Sequence, residues 1–121
     1  MQIIPTKYFK GDVKFYVRKK KFLKINDDVK SITDELEKGN LLGDRLEGLH
    51  IPEGTAVYKV RIANSSANVG KSQGFRLIYY LVIEEKVYLM SIYSKKDDSR
   101  ILSDKQIEFM VRDVLLDEWE A

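Results

Sequence analysis

Several residue types that build reactive centres are absent or scarce in this sequence of 121 residues. It has no cysteine, which excludes disulfides, a thiol nucleophile and thiolate metal sites. Its only histidine is His50, so neither a histidine-rich zinc site nor a two-histidine ribonuclease centre can form. No apolar run approaches the ~20 residues of a membrane-spanning helix. The apolar stretch at the N-terminus is too short for a signal peptide, and we therefore expect a cytoplasmic protein.

Carboxylates are missing from one stretch, residues 55–83, although the rest of the chain is rich in them. This stretch contains Lys59, Arg61, Lys71 and Arg76. Burying an arginine in an apolar strand costs free energy unless its charge is paired or binds a ligand. Cations without neighbouring acids on a rigid sheet indicate a site for an anion, most simply a phosphate. Because the net charge is only +2, we expect one part of the molecule, rather than all of it, to bind nucleic acid.

The first 54 residues have the pattern of two amphipathic helices followed by a connecting loop. Thr6 is a candidate N-cap of the first helix. The second is predicted to begin at Asn26–Asp28, where acids favour the positive end of a helix dipole, and to stop at Gly39. A short strand at Gln2–Pro5 is left open as an additional first element. The two apolar stripes are Phe9, Val13 and Tyr16, and Val29, Ile32 and Leu36.

The second half of the chain has the pattern of three strands and a helix. Residues 57–62 alternate, with Tyr58, Val60 and Ile62 on one face and Lys59 and Arg61 on the other. Residues 75–83 are apolar on both faces apart from one arginine, which is typical of a central strand. Residues 87–93 form a third strand, joined to the second by a tight turn at 84–86.

The last element is predicted to be a helix that begins at a capping box. Ser103 and Gln106 have the spacing of this motif, and an apolar stripe from Ile107 to Leu115 follows. Trp119 lies beyond the stripe. The order α-α-β-β-β-α predicts an α+β fold in which an N-terminal helical hairpin packs on a small antiparallel sheet, with a C-terminal helix. We expect residues 1–121 to form one domain.

Four features that suggest a functional site are better explained as structural. Gly70-Lys71-Ser72 resembles the end of a phosphate-binding P-loop, but Ser65 stands where that motif needs a glycine, and a strand rather than a helix follows. We expect Tyr79, Tyr80 and Tyr88 to be structural strand residues. Asp97-Asp98 is interpreted as part of a loop rather than as a metal site. His50 is interpreted as a surface loop residue.

Four segments together resemble the RelE/HigB family of bacterial toxins. They are residues 42–49 (LGDRLEGL), 58–62 (YKVRI), 74–80 (GFRLIYY) and 89–95 (LMSIYSK). A Gly/Ser/Lys loop joins the second segment to the third, and the order of elements agrees with the family. The family includes ribosome-dependent mRNA endonucleases held inactive by an antitoxin. This chain departs from it in being nearly neutral overall and in ending its last helix with acids.

The resemblance implies partners and leaves alternatives open. It implies a cognate antitoxin, of the helix-turn-helix type, together with the ribosome and mRNA, and it implies neither a metal nor a cofactor nor a membrane. The related ParE branch shares the fold but inhibits DNA gyrase, so the fold does not decide the function. A non-catalytic, toxin-like RNA-binding domain is the other alternative. The strands that contain Lys59-x-Arg61 and Gly74-Phe75-Arg76 favour the RelE/HigB branch over the ParE branch.

The resemblance also implies a way to cut RNA without metal. The 2′-hydroxyl attacks the adjacent phosphorus, which needs a base, cations for the phosphorane and an acid for the leaving 5′-oxygen. Arg76 is expected to bind the scissile phosphate, with Arg61 as a second cation beside it. Lys59 or Tyr93 is expected to be the base. Lys95 is expected either to bind the RNA backbone or to act as the acid. Ordinary pKa values near 10 make Lys and Tyr poor bases at neutral pH unless neighbouring cations lower them. The candidate catalytic residues are Arg76, Arg61, Lys59, Tyr93 and Lys95, and the candidate RNA- or ribosome-binding residues are Lys71, Lys96, Lys19 and Lys20.

Overall fold

The computed structural model describes residues 1–82 and 86–120, with residues 118–120 described by their backbone alone. Two short 3₁₀ turns, Ser65–Ala67 and Asp98–Arg100, interrupt the loops. Three predicted features fall outside the described residues. They are the last residue of the central strand, most of the turn at 84–86, and the side chain of Trp119. The helices and strands are β1 (Gln2–Pro5), α1 (Lys7–Lys19), α2 (Ile25–Glu37), β2 (Asp44–Arg45), β3 (Ala56–Ile62), β4 (Phe75–Val82), β5 (Lys86–Ser94) and α3 (Asp104–Glu120).

The fold is α+β, as predicted, but its sheet differs from the predicted one. The strand order is β1-β5-β4-β3-β2, and β1 runs parallel to β5 whereas the other pairs are antiparallel. The prediction of a purely antiparallel sheet is therefore wrong, since the sheet is mixed. The helical hairpin does not come first either, because the strand left open at Gln2–Pro5 is present as β1 and precedes it. The physical reason is that β1 supplies backbone partners to the outer edge of β5, which would otherwise be unpaired.

The local helix signals are confirmed. The Thr6 side chain caps α1 by accepting a hydrogen bond from the Phe9 N–H. Helix α2 begins one residue before the predicted start and ends at Glu37, and Gly39 follows with a φ of +89°. In α3, Ser103 and Gln106 exchange the two hydrogen bonds of a capping box, 2.8 and 3.2 Å long. Among the described residues, no helix combines the length and the apolar character that a membrane crossing needs.

The sheet separates two cores, and this arrangement decides which side chains remain accessible. One face packs against α1 and α2, and the other packs against α3. Strand β4 lies in the middle, where Tyr79 belongs to the first core and Tyr80 to the second. Both tyrosines are fully buried and Tyr88 is nearly so, which confirms the structural role predicted for all three.

Strand β2 was predicted only as part of a connector. It pairs with β3 through two residues, Asp44 opposite Lys59 and Arg45 opposite Tyr58. Gly43 precedes it with a φ of +90°, and a Cβ at this position would lie 2.5 Å from the Lys59 carbonyl oxygen. This close approach lets the chain turn onto the edge of β3. Two polar residues give no strand pattern, so local sequence could not reveal the pairing.

Candidate functional site

Four of the predicted site residues share one face of the sheet. Arg61 on β3 lies opposite Arg76 on β4, and Arg76 lies opposite Tyr93 on β5. Directly opposed residues point to the same face, and neighbouring strands are about 4.8 Å apart, so this row spans roughly 10 Å of backbone. Lys59 lies on the same face, two residues before Arg61. We call this set, Lys59, Arg61, Arg76 and Tyr93, the cationic face.

Helix α3 covers only part of the sheet surface to which the cationic face belongs. Val57, on the same side of β3, is fully buried in the core that α3 closes. Lys59 and Arg61 follow at the alternate positions and are exposed. The helix therefore protects the beginning of β3 and leaves its end accessible to a ligand, which is where the cations lie.

Arg76 is largely buried and uses its guanidinium to hold backbone. It is 8% exposed. Nη1 donates to the carbonyl oxygens of Lys71 at 3.1 Å and Phe75 at 3.2 Å, and Nη2 donates to that of Ser72 at 3.2 Å. Burial lowers the pKa of Arg76, and the charge of Arg61 lowers it further, against a smaller opposing effect of Tyr93. An arginine nevertheless stays protonated in proteins and cannot serve as a base.

Tyr93 is better suited to donating a proton than to accepting one. It is 4% exposed, and burial raises its pKa above the ordinary value, with a smaller lowering effect from the neighbouring Arg76. The phenol is therefore protonated at neutral pH. Of the two bases considered from the sequence, Lys59 remains the more suitable, because it is exposed on the same face. The register places the carboxylate of Asp44 on the strand beside it.

The lysines predicted to bind RNA fall into two groups. Lys71 adjoins the cationic face, since its carbonyl holds Arg76. Lys95 follows the end of β5, and its N–H donates to the Gly74 carbonyl at 2.9 Å. This bond places Lys95 beside the loop between β3 and β4. Lys96 comes next and is exposed. Lys19 and Lys20 lie at the exposed end of α1, where the Lys20 ammonium is 3.9 Å from Asp97.

Asp97 is a structural carboxylate. The Tyr16 hydroxyl donates to it at 2.8 Å, and the same hydroxyl accepts a bond of 2.7 Å from the Ser94 N–H. This interpretation agrees with a loop role for the Asp97-Asp98 pair. In the described part of the chain, no three metal-ligating side chains come together. His50 is a surface residue, as predicted, and its backbone N–H bonds to Glu108.

Acidic residues near the cationic face were missed by the sequence analysis. A cavity of about 160 Å³ is lined by Asp27, Asp28 and Ser31 at the start of α2, together with Arg61 and Lys71. Asp28 also accepts a hydrogen bond of 3.1 Å from the Ser65 N–H, which ties α2 to the loop after β3. No local pattern in the sequence indicates this proximity, because it depends on how α2 packs on the sheet.

No protein-family model matches this chain, and a comparison with curated proteins finds no match. The RelE/HigB resemblance therefore rests on the quoted sequence segments and on the order of the elements.

Proposed function

We propose that this chain is the toxin of a bacterial type II toxin–antitoxin system and that it cuts mRNA on the ribosome in the cytoplasm. The observation that carries the proposal is the row formed by Arg61, Arg76 and Tyr93 across three neighbouring strands. Two guanidinium groups beside a protonated phenol match the needs of phosphodiester cleavage by a 2′-hydroxyl. No carboxylate lies on residues 55–83, which form two of these strands and their loop.

The chemistry assigns a distinct task to each residue. Lys59, in its uncharged amine form, takes the proton of the 2′-hydroxyl, whose oxygen then bonds to the adjacent phosphorus. The charge of Arg61 stabilises the phosphorane that forms, and the buried charge of Arg76 adds to the positive potential of the face without contacting the phosphate. Tyr93 donates its proton to the 5′-oxygen as the P–O bond breaks, which leaves a 2′,3′-cyclic phosphate and a 5′-hydroxyl. Lys95 is the alternative donor, because it lies just beyond Tyr93 on the chain.

The ribosome has a physical role in this proposal. The cationic face is open to solvent at Lys59 and Arg61. It therefore offers little that would hold a flexible RNA in an in-line geometry, and orientation contributes much of the rate of such reactions. We expect slow cleavage of free RNA and faster cleavage when the ribosome holds the strand. Lys96, Lys19 and Lys20 are the candidates for contacting ribosomal RNA.

An antitoxin would inhibit the protein by covering the cationic face. A complementary acidic segment is the physical expectation, because opposite potentials favour both rapid encounter and correct orientation. The helix-turn-helix class of this partner follows from the family resemblance alone.

The test is induced expression in a bacterial host, with pulse-labelled protein synthesis and mapping of mRNA 5′ ends. Wild type, Arg61→Ala and Arg45→Ala are compared. Arg45 is a matched control, because it is an exposed arginine whose register with Tyr58 places it on the opposite face of the sheet. We expect wild type and Arg45→Ala to arrest translation and to leave cuts inside translated reading frames, and Arg61→Ala to do neither. Arrest of DNA replication with intact mRNA would instead support a gyrase inhibitor, and RNA binding without cuts would support a non-catalytic domain.

A further inference from the structure

We infer that Arg76 is a positioning residue that fastens the β3–β4 loop, and that Lys71, Ser72 and Gln73 on this loop grip the phosphodiester backbone of single-stranded RNA. The choice of ligand rests on the proposed function, whereas the fastening role does not. Arg76 was predicted from the sequence to contact the scissile phosphate. Its contacts in the structure support a different task.

The guanidinium of Arg76 bridges two consecutive carbonyl groups of the loop. Its two terminal nitrogens bond to the carbonyls of Lys71 and Ser72, at 3.1 and 3.2 Å. A planar group with several fixed donors can hold two acceptors at once, and a lysine ammonium lacks this geometry. With Nη1 also bonded to the Phe75 carbonyl, three N–H groups of the guanidinium are already engaged by backbone and are not free for a phosphate.

The remaining backbone of the loop is fixed at both ends. At its start, Asn64 and Val69 exchange two backbone hydrogen bonds of 3.0 and 3.1 Å. At its end, a Cβ on Gly74 would lie 2.1 Å from the Ile62 carbonyl oxygen, so the chain passes directly against β3. The Gly74 carbonyl in turn accepts the Lys95 N–H. Arg76 fixes the segment between these anchors.

The side chains on the fastened segment are available to a ligand. Lys71, Ser72 and Gln73 are exposed. Within the described residues, none of their side chains has a hydrogen-bond or ion-pair partner. An ammonium, a hydroxyl and an amide offer complementary donors to phosphate oxygens and to the 2′-hydroxyl. A loop already held in one conformation loses less entropy on binding, which favours affinity.

The fastening is tested first by limited trypsin digestion, with cleavage after Lys71 followed by mass spectrometry. We expect Arg76→Ala and Arg76→Lys to raise the cleavage rate after Lys71 by about tenfold or more, because opening the loop no longer breaks charge-assisted bonds. Arg61→Ala is the matched control and should leave this rate unchanged. Cleavage after Lys38, beyond the end of α2, reports the rest of the fold and should be equal in all proteins. Equal rates after Lys71 in wild type and both Arg76 variants would overturn the inference.

The ligand is tested by the salt dependence of binding to a 2′-O-methyl RNA oligonucleotide, which cannot be cut by 2′-hydroxyl attack. Each phosphate contact contributes about 0.7 to the slope of log K against log salt for a single strand. We expect Lys71→Ala and Arg76→Ala each to lower the slope by that amount, and the double variant to lower it no further. Ser72→Ala and Gln73→Ala should weaken binding at an unchanged slope.

The outcomes separate the two halves of the inference. A double variant that loses about twice the slope of either single variant would show that Arg76 contacts phosphate itself and would overturn the positioning role. Absence of RNA binding by the wild type would overturn the ligand assigned to the loop but not the proposed function, which is decided by cleavage on the ribosome. Faster digestion of the Arg76 variants would still establish the fastening.

Discussion

Gly74 is a residue at which a single methyl group is expected to disturb the candidate site. A Cβ there would lie 2.1 Å from the Ile62 carbonyl oxygen and 2.9 Å from the Asn64 nitrogen. Both neighbours are backbone atoms and cannot rotate away. We expect Gly74→Ala to lower the free energy of unfolding by about 1–3 kcal/mol in urea denaturation.

Gly70 provides the control for this substitution in the same loop. A Cβ at Gly70 would meet nothing within 4 Å. We expect Gly70→Ala to leave the free energy of unfolding unchanged or to raise it by up to about 1 kcal/mol, since alanine restricts the unfolded chain. Equal losses for the two variants would contradict the tight packing of Gly74 against β3.

The Tyr16 hydroxyl joins α1 to the end of β5. It accepts the Ser94 N–H and donates to Asp97, and its side chain is fully buried. Tyr16→Phe leaves the buried N–H without a partner, so we expect a loss of about 1–3 kcal/mol in the free energy of unfolding. Tyr58→Phe, at a half-buried tyrosine stacked on Tyr79, is the control and should cost less than about 0.5 kcal/mol. A loss for Tyr58→Phe as large as for Tyr16→Phe would argue against the hydrogen-bond explanation.

Tyr93 should affect activity without affecting stability. Its hydroxyl is proposed to be a proton donor, and general acid catalysis contributes typically 10²–10⁴-fold. We expect Tyr93→Phe to lower the rate of ribosome-dependent cleavage by roughly 100-fold. The free energy of unfolding should change by less than about 0.5 kcal/mol, because the ring remains buried in its core. Full activity in the phenylalanine variant would remove Tyr93 from the mechanism and leave Lys95 as the donor.

Alternation along β3 was enough to place Lys59 and Arg61 on one face. The partners of Arg76 could not be predicted, because they are carbonyls of a loop whose path depends on Gly74 and Asn64. The burial of Tyr93 could not be predicted either, because it depends on how the core between the sheet and α3 packs.

At the scale of secondary structure, α3 depends on the cap at its first turn. The Ser103 side chain accepts the Gln106 N–H, and the Gln106 side chain accepts the Ser103 N–H. We expect Ser103→Ala to lower the free energy of unfolding by about 1 kcal/mol. Ser99→Ala, in the exposed 3₁₀ turn just upstream, serves as the control and should be nearly neutral. Equal effects of the two substitutions would mean that the cap contributes little to the helix.

The helices were more predictable than the sheet. Caps and apolar stripes are local, and the stripe from Ile107 to Val114 gave α3 directly. A strand at Gln2–Pro5 was left open from the sequence, but its pairing partner β5 lies far along the chain. Strand β2 has only two paired residues, too few for a pattern. The parallel direction of β1 therefore could be learned only from the folded structure.

At the scale of the whole molecule, buried tyrosines should make stability fall in alkali. Burial raises the pKa values of Tyr16, Tyr79, Tyr80 and Tyr93 above the ordinary 10.0. The folded state thus holds these protons more tightly than the unfolded state. Their contribution to stability is complete below pH 10 and declines as the pH rises above that value.

Alkaline titration checks this expectation. Circular dichroism should show unfolding above about pH 10, accompanied by the ultraviolet absorbance of phenolate. Ionisation of all the tyrosines together near pH 10, without loss of structure, would contradict the buried positions of the four.

The distribution of charge over the molecule was only partly visible in the sequence. The absence of acids from residues 55–83 located the cationic face. The carboxylates of Asp27 and Asp28 come from a distant segment and approach the face only through the packing of α2. The face is therefore less uniformly positive than the sequence alone indicated.

The most direct test of the central claim, that the cationic face cuts RNA, is the chemistry of the cut ends. Purified protein is incubated with mRNA held on bacterial ribosomes, and both new ends are analysed. We expect a 2′,3′-cyclic phosphate on one fragment, a 5′-hydroxyl on the other, and no cut when the nucleotide before the cleavage site lacks its 2′-hydroxyl. Ends with a 5′-phosphate, or cleavage of the 2′-deoxy substrate, would contradict it.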